Sequence, residues 1–201
     1  MTPRTSHPRD PRPAVPARRR LLALAAAGAL AAAWPALRAH ADVIPVKSAE
    51  LRVEEGEVLL NAEFELSLNP TLEEALKNGV PLYFVLEVEI TRPRWYWLDE
   101  KVIGSTTTWR VAYAPLAQHY RVSTGLIAQT LNSTAEVERL VGRVTSRPIA
   151  RVADFARGAR YDAAVRLRLD VAQLPKPFQV DALASREWQL ASDWQRFGFT
   201  P

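Results

Sequence analysis

From Val58 to Leu68 the chain alternates without a break: Val58, Leu60, Ala62, Phe64, Leu66 and Leu68 share one parity, and Asn61, Glu63, Glu65 and Ser67 the other. Successive strand side chains point to opposite faces, so this period describes a strand with one buried and one solvated face. A helix would scatter the same apolar residues around its circumference. Ala49, Leu51 and Val53 precede the run in the same rhythm, and Glu54-Glu55-Gly56-Glu57 between them supplies a glycine for a tight turn. A β-hairpin is the expected result.

The rhythm returns along the chain. Leu82, Phe84, Leu86, Val88 and Ile90 alternate against Glu87 and Glu89, and Val102–Tyr113 carries a threonine run and Trp109. Tyr120–Thr124 reads as a further strand folding back across Ala114–Gln118. Tyr161, Ala163, Val165, Leu167, Leu169 and Val171 alternate with Asp162, Arg166, Arg168 and Asp170, and Trp188, Leu190, Ser192 and Trp194 suggest a closing strand. Helices are short by comparison. Asn69-Pro70 offers an N-cap and a first-turn proline before Leu72, Ala75 and Leu76, with Gly79 as the stop. Ser133-Thr134-Ala135-Glu136 has the form of a capping box, followed by Val137, Leu140, Val141 and Val144 at helical spacing. The expected fold is mainly β: an antiparallel β-sandwich or curled sheet of about seven or eight strands with two or three short helices.

Residues 1–41 differ in kind. Arg18-Arg19-Arg20 ends a proline- and arginine-rich stretch, an apolar run from Leu21 to Ala33 follows, and Ala39-His40-Ala41 places small residues before Asp42. This is the pattern of a secretory signal peptide cleaved between Ala41 and Asp42, leaving residues 42–201 as a single β-rich domain in the periplasm or cell envelope. Leu21–Leu37, interrupted by Trp34 and Pro35, is short for a membrane span of about 20 residues, so the processed chain is not expected to cross the membrane. The leader also changes the charge argument. The whole chain carries a net charge of +4, but seven arginines and one acid lie in the leader, leaving 19 basic and 21 acidic residues. The electrostatic case for nucleic-acid binding disappears with them.

Few residues are suited to catalysis. There is no cysteine, and His119 is the one histidine after the leader. No zinc ligand set, nucleophile elbow or phosphate-binding glycine loop can be assembled, and no cofactor is expected. Glu54, Glu55 and Glu57 lack the ligand spacing of a calcium loop. An alternative reading is an envelope hydrolase using a carboxylate pair, Asp99 with Glu100 or Glu87 with Glu89, near Trp95 and Trp97. The simpler account of Glu63, Glu65, Glu87 and Glu89 is that they supply the solvated faces of two strands.

Two segments are better suited to recognition. Arg94-Trp95-Tyr96-Trp97 concentrates aromatics beside charge, where they either stack on a ligand or close one end of the core. Arg139, Arg143 and Arg147 are spaced four apart along the capped helix and just beyond it, a stripe suited to anionic lipid, a glycan or an acidic protein partner. Charge is also segregated: residues 42–90 hold three basic and eleven acidic residues, residues 91–201 sixteen and ten. Oppositely charged neighbouring strands would lace a sheet face with ion pairs.

Ala49-Glu50-Leu51, Leu60-Asn61-Ala62, Arg94-Trp95-Tyr96-Trp97, Arg166-Leu167-Arg168-Leu169-Asp170, Leu174-Pro175-Lys176-Pro177 and Trp188-Gln189-Leu190-Ala191-Ser192-Asp193-Trp194 together resemble the exported bacterial proteins of domain of unknown function 4390, also called proline-rich signal peptide proteins. The resemblance covers nearly all of the chain after the leader. It implies no assigned activity and no catalytic residue. Members of that family are often encoded beside a membrane sensor histidine kinase of the nitrogen-regulation type, so the resemblance implies a shared envelope pathway, and an envelope protein such as that membrane sensor kinase is one candidate partner. The expected function is therefore a non-catalytic binding or accessory module.

Overall fold

The computed structural model describes residues 43–94, 96 and 99–201, so the leader and the expected Ala41/Asp42 cleavage position lie outside the described residues. Nine strands are present among the described residues. In chain order they are β1 Val46–Glu54, β2 Glu57–Phe64, β3 Leu82–Arg92, β4 Glu100–Ala114 and β5 His119–Thr124. After these come β6 Ile127–Leu131, β7 Arg143–Arg151, β8 Tyr161–Leu169 and β9 Gln195–Phe199. They form two antiparallel sheets, a small one in the order β1-β2-β7 and a large one in the order β6-β5-β4-β3-β8-β9. The α-helices among the described residues are α1 Pro70–Lys77, α2 Thr134–Gly142 and α3 Lys176–Ala184. The fold is mainly β as expected, with more strands than the alternation revealed.

The β1–β2 hairpin has the anticipated register, Val53 opposite Val58 and Glu54 opposite Glu57. Its two turn residues, Glu55 and Gly56, have φ of +50° and +84°. That pair of left-handed residues matches the twist of the flanking strands, and glycine adopts it without steric cost. Strand β2 stops at Phe64, yet Leu66 and Leu68 remain buried beyond it. At α1, Asn69 caps the helix by accepting the Leu72 N–H at 3.0 Å, and Pro70 opens the first turn. At α2, Ser133 Oγ accepts the Glu136 N–H at 3.2 Å, while the Glu136 carboxylate accepts the N–H of Asn132 at 2.8 Å.

One core joins the two sheets. Leu60, Ala62 and Phe64 of β2 cluster with Phe84, Leu86 and Val88 of β3, Trp109 and Val111 of β4 and Val165 and Leu167 of β8. A second cluster around Val58, Ile90, Phe155, Tyr161, Ala163 and Phe199 fills one end, where Phe155 meets Tyr161 and Phe199 edge to face at 5.1 and 5.5 Å between centroids. A three-stranded sheet covers less width than a six-stranded one. Helix α2 packs beside the inner faces of β5 and β6, and Gly142 at its end lets it lie against β2: a Cβ there would stand 2.6 Å from the Phe64 carbonyl oxygen.

Two strands escape the period-two reading for physical reasons. Strand β6 is exposed from Ile127 to Thr130, so its composition has no buried parity to display. Strand β7 contains Pro148 and two register irregularities that break its alternation. The closing segment differs in position. Trp188, Leu190 and Ser192 are buried in alternation, but Arg186–Trp188 is a 3₁₀ turn and the last strand is Gln195–Phe199. Leu190 and Ser192 still hydrogen-bond the second half of β8, with Ser192 N–H donating to the Leu167 carbonyl at 2.8 Å and Ser192 Oγ accepting the Leu167 N–H at 3.0 Å. Among the described residues no helix is long and apolar enough to cross a membrane.

Candidate functional site

Arg139, Arg143 and Arg147 line one surface groove of about 580 Å³. They do not form a helical stripe. Only Arg139 is helical, in the last turn of α2; Arg143 is already extended and starts β7, and Arg147 follows four residues along that strand. A β-bulge makes their convergence possible. Val144 pairs with Ala62 and Arg147 with Leu60, so Thr145 and Ser146 together oppose Asn61. The Ser146 N–H donates to Asn61 Oδ1 at 2.8 Å and its backbone holds φ at +45°. One extra residue reverses strand parity, so Arg147 shares the inward side with Val144, Leu60 and Ala62 instead of pointing to solvent.

The groove floor is apolar. Trp109 of β4, Leu131 of β6, Leu140 of α2 and Val144 of β7 line it. Trp109 is 7% exposed: it belongs to the core and also lines the groove. Gln129, Glu136 and Thr145 complete the rim. Arg143 lies 3.5 Å from Glu63, whereas Arg139 and Arg147 make no side-chain hydrogen bond or ion pair with another described residue. The result is an apolar cleft with a cationic mouth, able to take a group that is apolar along its length and negatively charged at an end or along one side. From the sequence, Trp109 reads as a strand residue only; the two-residue link Asn132-Ser133, which turns α2 back beside β5 and β6, helps make it a floor.

The second recognition segment lies elsewhere. It connects β3 to β4, where Arg94 pairs with Glu100 and its N–H approaches Asp99 Oδ1 at 3.4 Å. Tyr96 is 65% exposed, and Trp95 and Trp97 lie outside the described residues. Trp109 stands nine steps along β4 from Glu100, roughly 30 Å at 3.3 Å per step. The two segments are therefore separate surfaces.

The carboxylates form a sheet-surface network. Glu87 accepts from Arg166 Nε at 2.9 Å and from Arg168 Nε at 3.1 Å, and Arg168 also donates to Asp170 at 3.2 Å. Trp194 lies over the Arg166 guanidinium, 4.7 Å from ring centroid to Cζ. Partial burial pushes the Glu87 carboxyl up, but hydrogen bonds and charge from Arg166 and Arg168 outweigh it and hold the group below its ordinary value. Glu87 is thus a charged acceptor, the opposite of what a general acid requires. Glu89 is engaged by Lys101 at 2.5 Å. This is the ion-paired face that the charge segregation anticipates. His119 is half-buried in the final pair of β4–β5, opposite Ala114. Among the described residues no group of three or more His, Asp or Glu side chains could hold a metal ion.

No match is found among curated proteins or among solved structures. Residues 41–198 match the family model described as Domain of unknown function (DUF4390), which spans both sheets and every residue of the groove. The chain belongs to the DUF4390 family.

Proposed function

We propose that the protein is an exported, non-catalytic binding module of the periplasm or cell envelope, and that the arginine-rimmed groove receives an anionic partner with an apolar part. The observation that carries this reading is the pairing of an apolar floor at Trp109, Leu131 and Leu140 with Arg139 and Arg147, which form no ion pair with a described residue and, with Arg143, outnumber the one acid of the rim, Glu136. Cations held without an ion-pair partner at the mouth of an apolar cleft favour an anion there. The leader supplies the address.

Dodecyl phosphate, titrated calorimetrically into the purified protein, is expected to bind more tightly than uncharged dodecyl maltoside. Replacing both Arg139 and Arg147 by Glu is expected to weaken the phosphate at least tenfold, roughly 1.4 kcal/mol, with the maltoside little changed. Equal binding of both detergents to both forms would place the anion elsewhere. The address has its own test. The mass of the protein recovered from cells is expected to correspond to a chain beginning at Asp42, and an unprocessed chain would remove the envelope assignment.

A further inference from the structure

The groove is bordered by a sheet edge. Strand β6 pairs with β5 on one side only and is the last strand of the large sheet. Gly125 (φ +54°) and Leu126 form the two-residue turn between them, closing on the Thr124–Ile127 pair. In such a hairpin the closing pair is hydrogen-bonded and bonding then alternates, which leaves the N–H and C=O groups of Ala128 and Thr130 directed away from β5. Edge strands are normally blunted with charge, proline or a bulge, and β6, Ile-Ala-Gln-Thr-Leu, has none of these. Its inward residues, Gln129 and Leu131, are the wall of the groove.

Charge identifies the occupant. Between Lys101 and Ala135 there is no Asp or Glu, while Arg110, Arg121 and His119 all lie on β4 or β5. Arg121 of β5, one strand in from the edge, is opposite Thr130 on the outer face, while Arg139 and Arg147 stand at the inner face, where the one acid, Glu136, is engaged by the Asn132 N–H at 2.8 Å. A strand added beside β6 would therefore meet cations on both of its faces. A second copy of this chain, edge to edge, would bring two such basic margins together and be repelled. An acidic segment gains on both sides.

We infer that β6 is the docking edge for an extended acidic segment of a partner protein, which adds to the large sheet as a further strand and turns alternate side chains into the groove. This rests on the groove reading above and specifies its ligand. Main-chain bonds to Ala128 and Thr130 provide attachment, and acidic side chains on the two faces provide register and selection.

The test is fluorescence anisotropy of a labelled octapeptide repeating Glu-Glu-Val-Val, which in an extended strand places glutamate on both faces, titrated with the purified protein. Saturable binding is expected, weakened at least tenfold when glutamate is replaced by lysine, when alternate peptide nitrogens are methylated, and in Thr130→Pro. Proline at Thr130 removes only the outward N–H and leaves the ladder to β5 intact, so its circular dichroism melt should match the parent. If that variant fails to fold, the methylated peptide decides the question. Undiminished binding of the methylated peptide overturns strand addition and leaves an anion groove. Binding of dodecyl phosphate but of no acidic peptide does the same, whereas loss of both overturns the groove itself. A dimer in light scattering that Thr130→Pro converts to monomer would make a second copy the occupant, and binding to anionic phospholipid vesicles without acidic-peptide binding would make it a membrane surface; either refutes the acidic segment.

Discussion

Phe84→Ala is expected to lower stability by about 3–5 kcal/mol, read as a fall in the urea midpoint with little change in slope. Phe84 is fully buried, and its register places it between Trp109 of β4 and Leu169 of β8. It stands on the central strand of the large sheet, facing the small one, so deletion of the ring leaves a void bounded by paired backbone on both sides. Hydrogen-bonded strands cannot close over such a void as a loop could, which puts the cost at the upper part of the range for aromatic truncation. A domain with a total stability of about 5–15 kcal/mol has little to spare. The effect extends to the groove because Phe84 is directly opposite Trp109, and ligand affinity should fall even where the variant remains folded. A loss below about 1 kcal/mol would mean that the sheets close up around the missing ring.

The second large effect belongs to Glu87→Ala, expected to cost about 2–3 kcal/mol at neutral pH. One carboxylate answers both Arg166 and Arg168, and its side chain is only 21% exposed. Its removal leaves Arg166 between Trp194 and a vacated partner, and leaves Arg168 with Asp170 alone. The pH dependence has a definite sign. Burial pushes the Asp170 carboxyl up as it does that of Glu87, but the bonds from Gln173 and Arg168 overcome this, so both carboxyls are depressed in the native state. Their contribution is fully present above the ordinary carboxylate range of about 4 and is lost as pH falls through the depressed native values. The gap between parent and Glu87→Ala, measured by urea unfolding, should be widest near neutrality and close below pH 4. A constant gap across that range would assign the loss to packing.

The framework was legible where one strand face is buried and the other wet. Val58 to Phe64, Leu82 to Ile90 and Tyr161 to Leu169 announce themselves because their parity matches their burial. The same logic explains the silence of β6, which has nothing buried to alternate with, and of β7, where the bulge at Ser146 shifts the parity midway. The candidate site was half legible. Spacing of four among Arg139, Arg143 and Arg147 singled out three residues that line one groove, through a helical geometry that only Arg139 possesses. Their actual meeting depends on Gly142 ending the helix against Phe64 and on the extra residue in β7. Neither leaves a periodic trace. Trp109 could not be recognised as a groove floor, since that role depends on the difference in width between two sheets and not on its neighbours in sequence.

The central strands take their partners from late in the chain. Glu87 of β3 meets Arg166 of β8 across 79 residues, and Asn61 of β2 meets Ser146 of β7 across 85. During synthesis the hairpins can form one by one, but neither sheet acquires its full set of neighbours until most of the chain has left the ribosome. Until then one edge of β2 and one of β3 stay open. Topologies dominated by such distant pairings fold in milliseconds to seconds, about a thousandfold or more slower than helical bundles of similar size. A nascent chain of this design therefore carries formed hairpins with open sheet edges for much of its translation, until its late strands arrive.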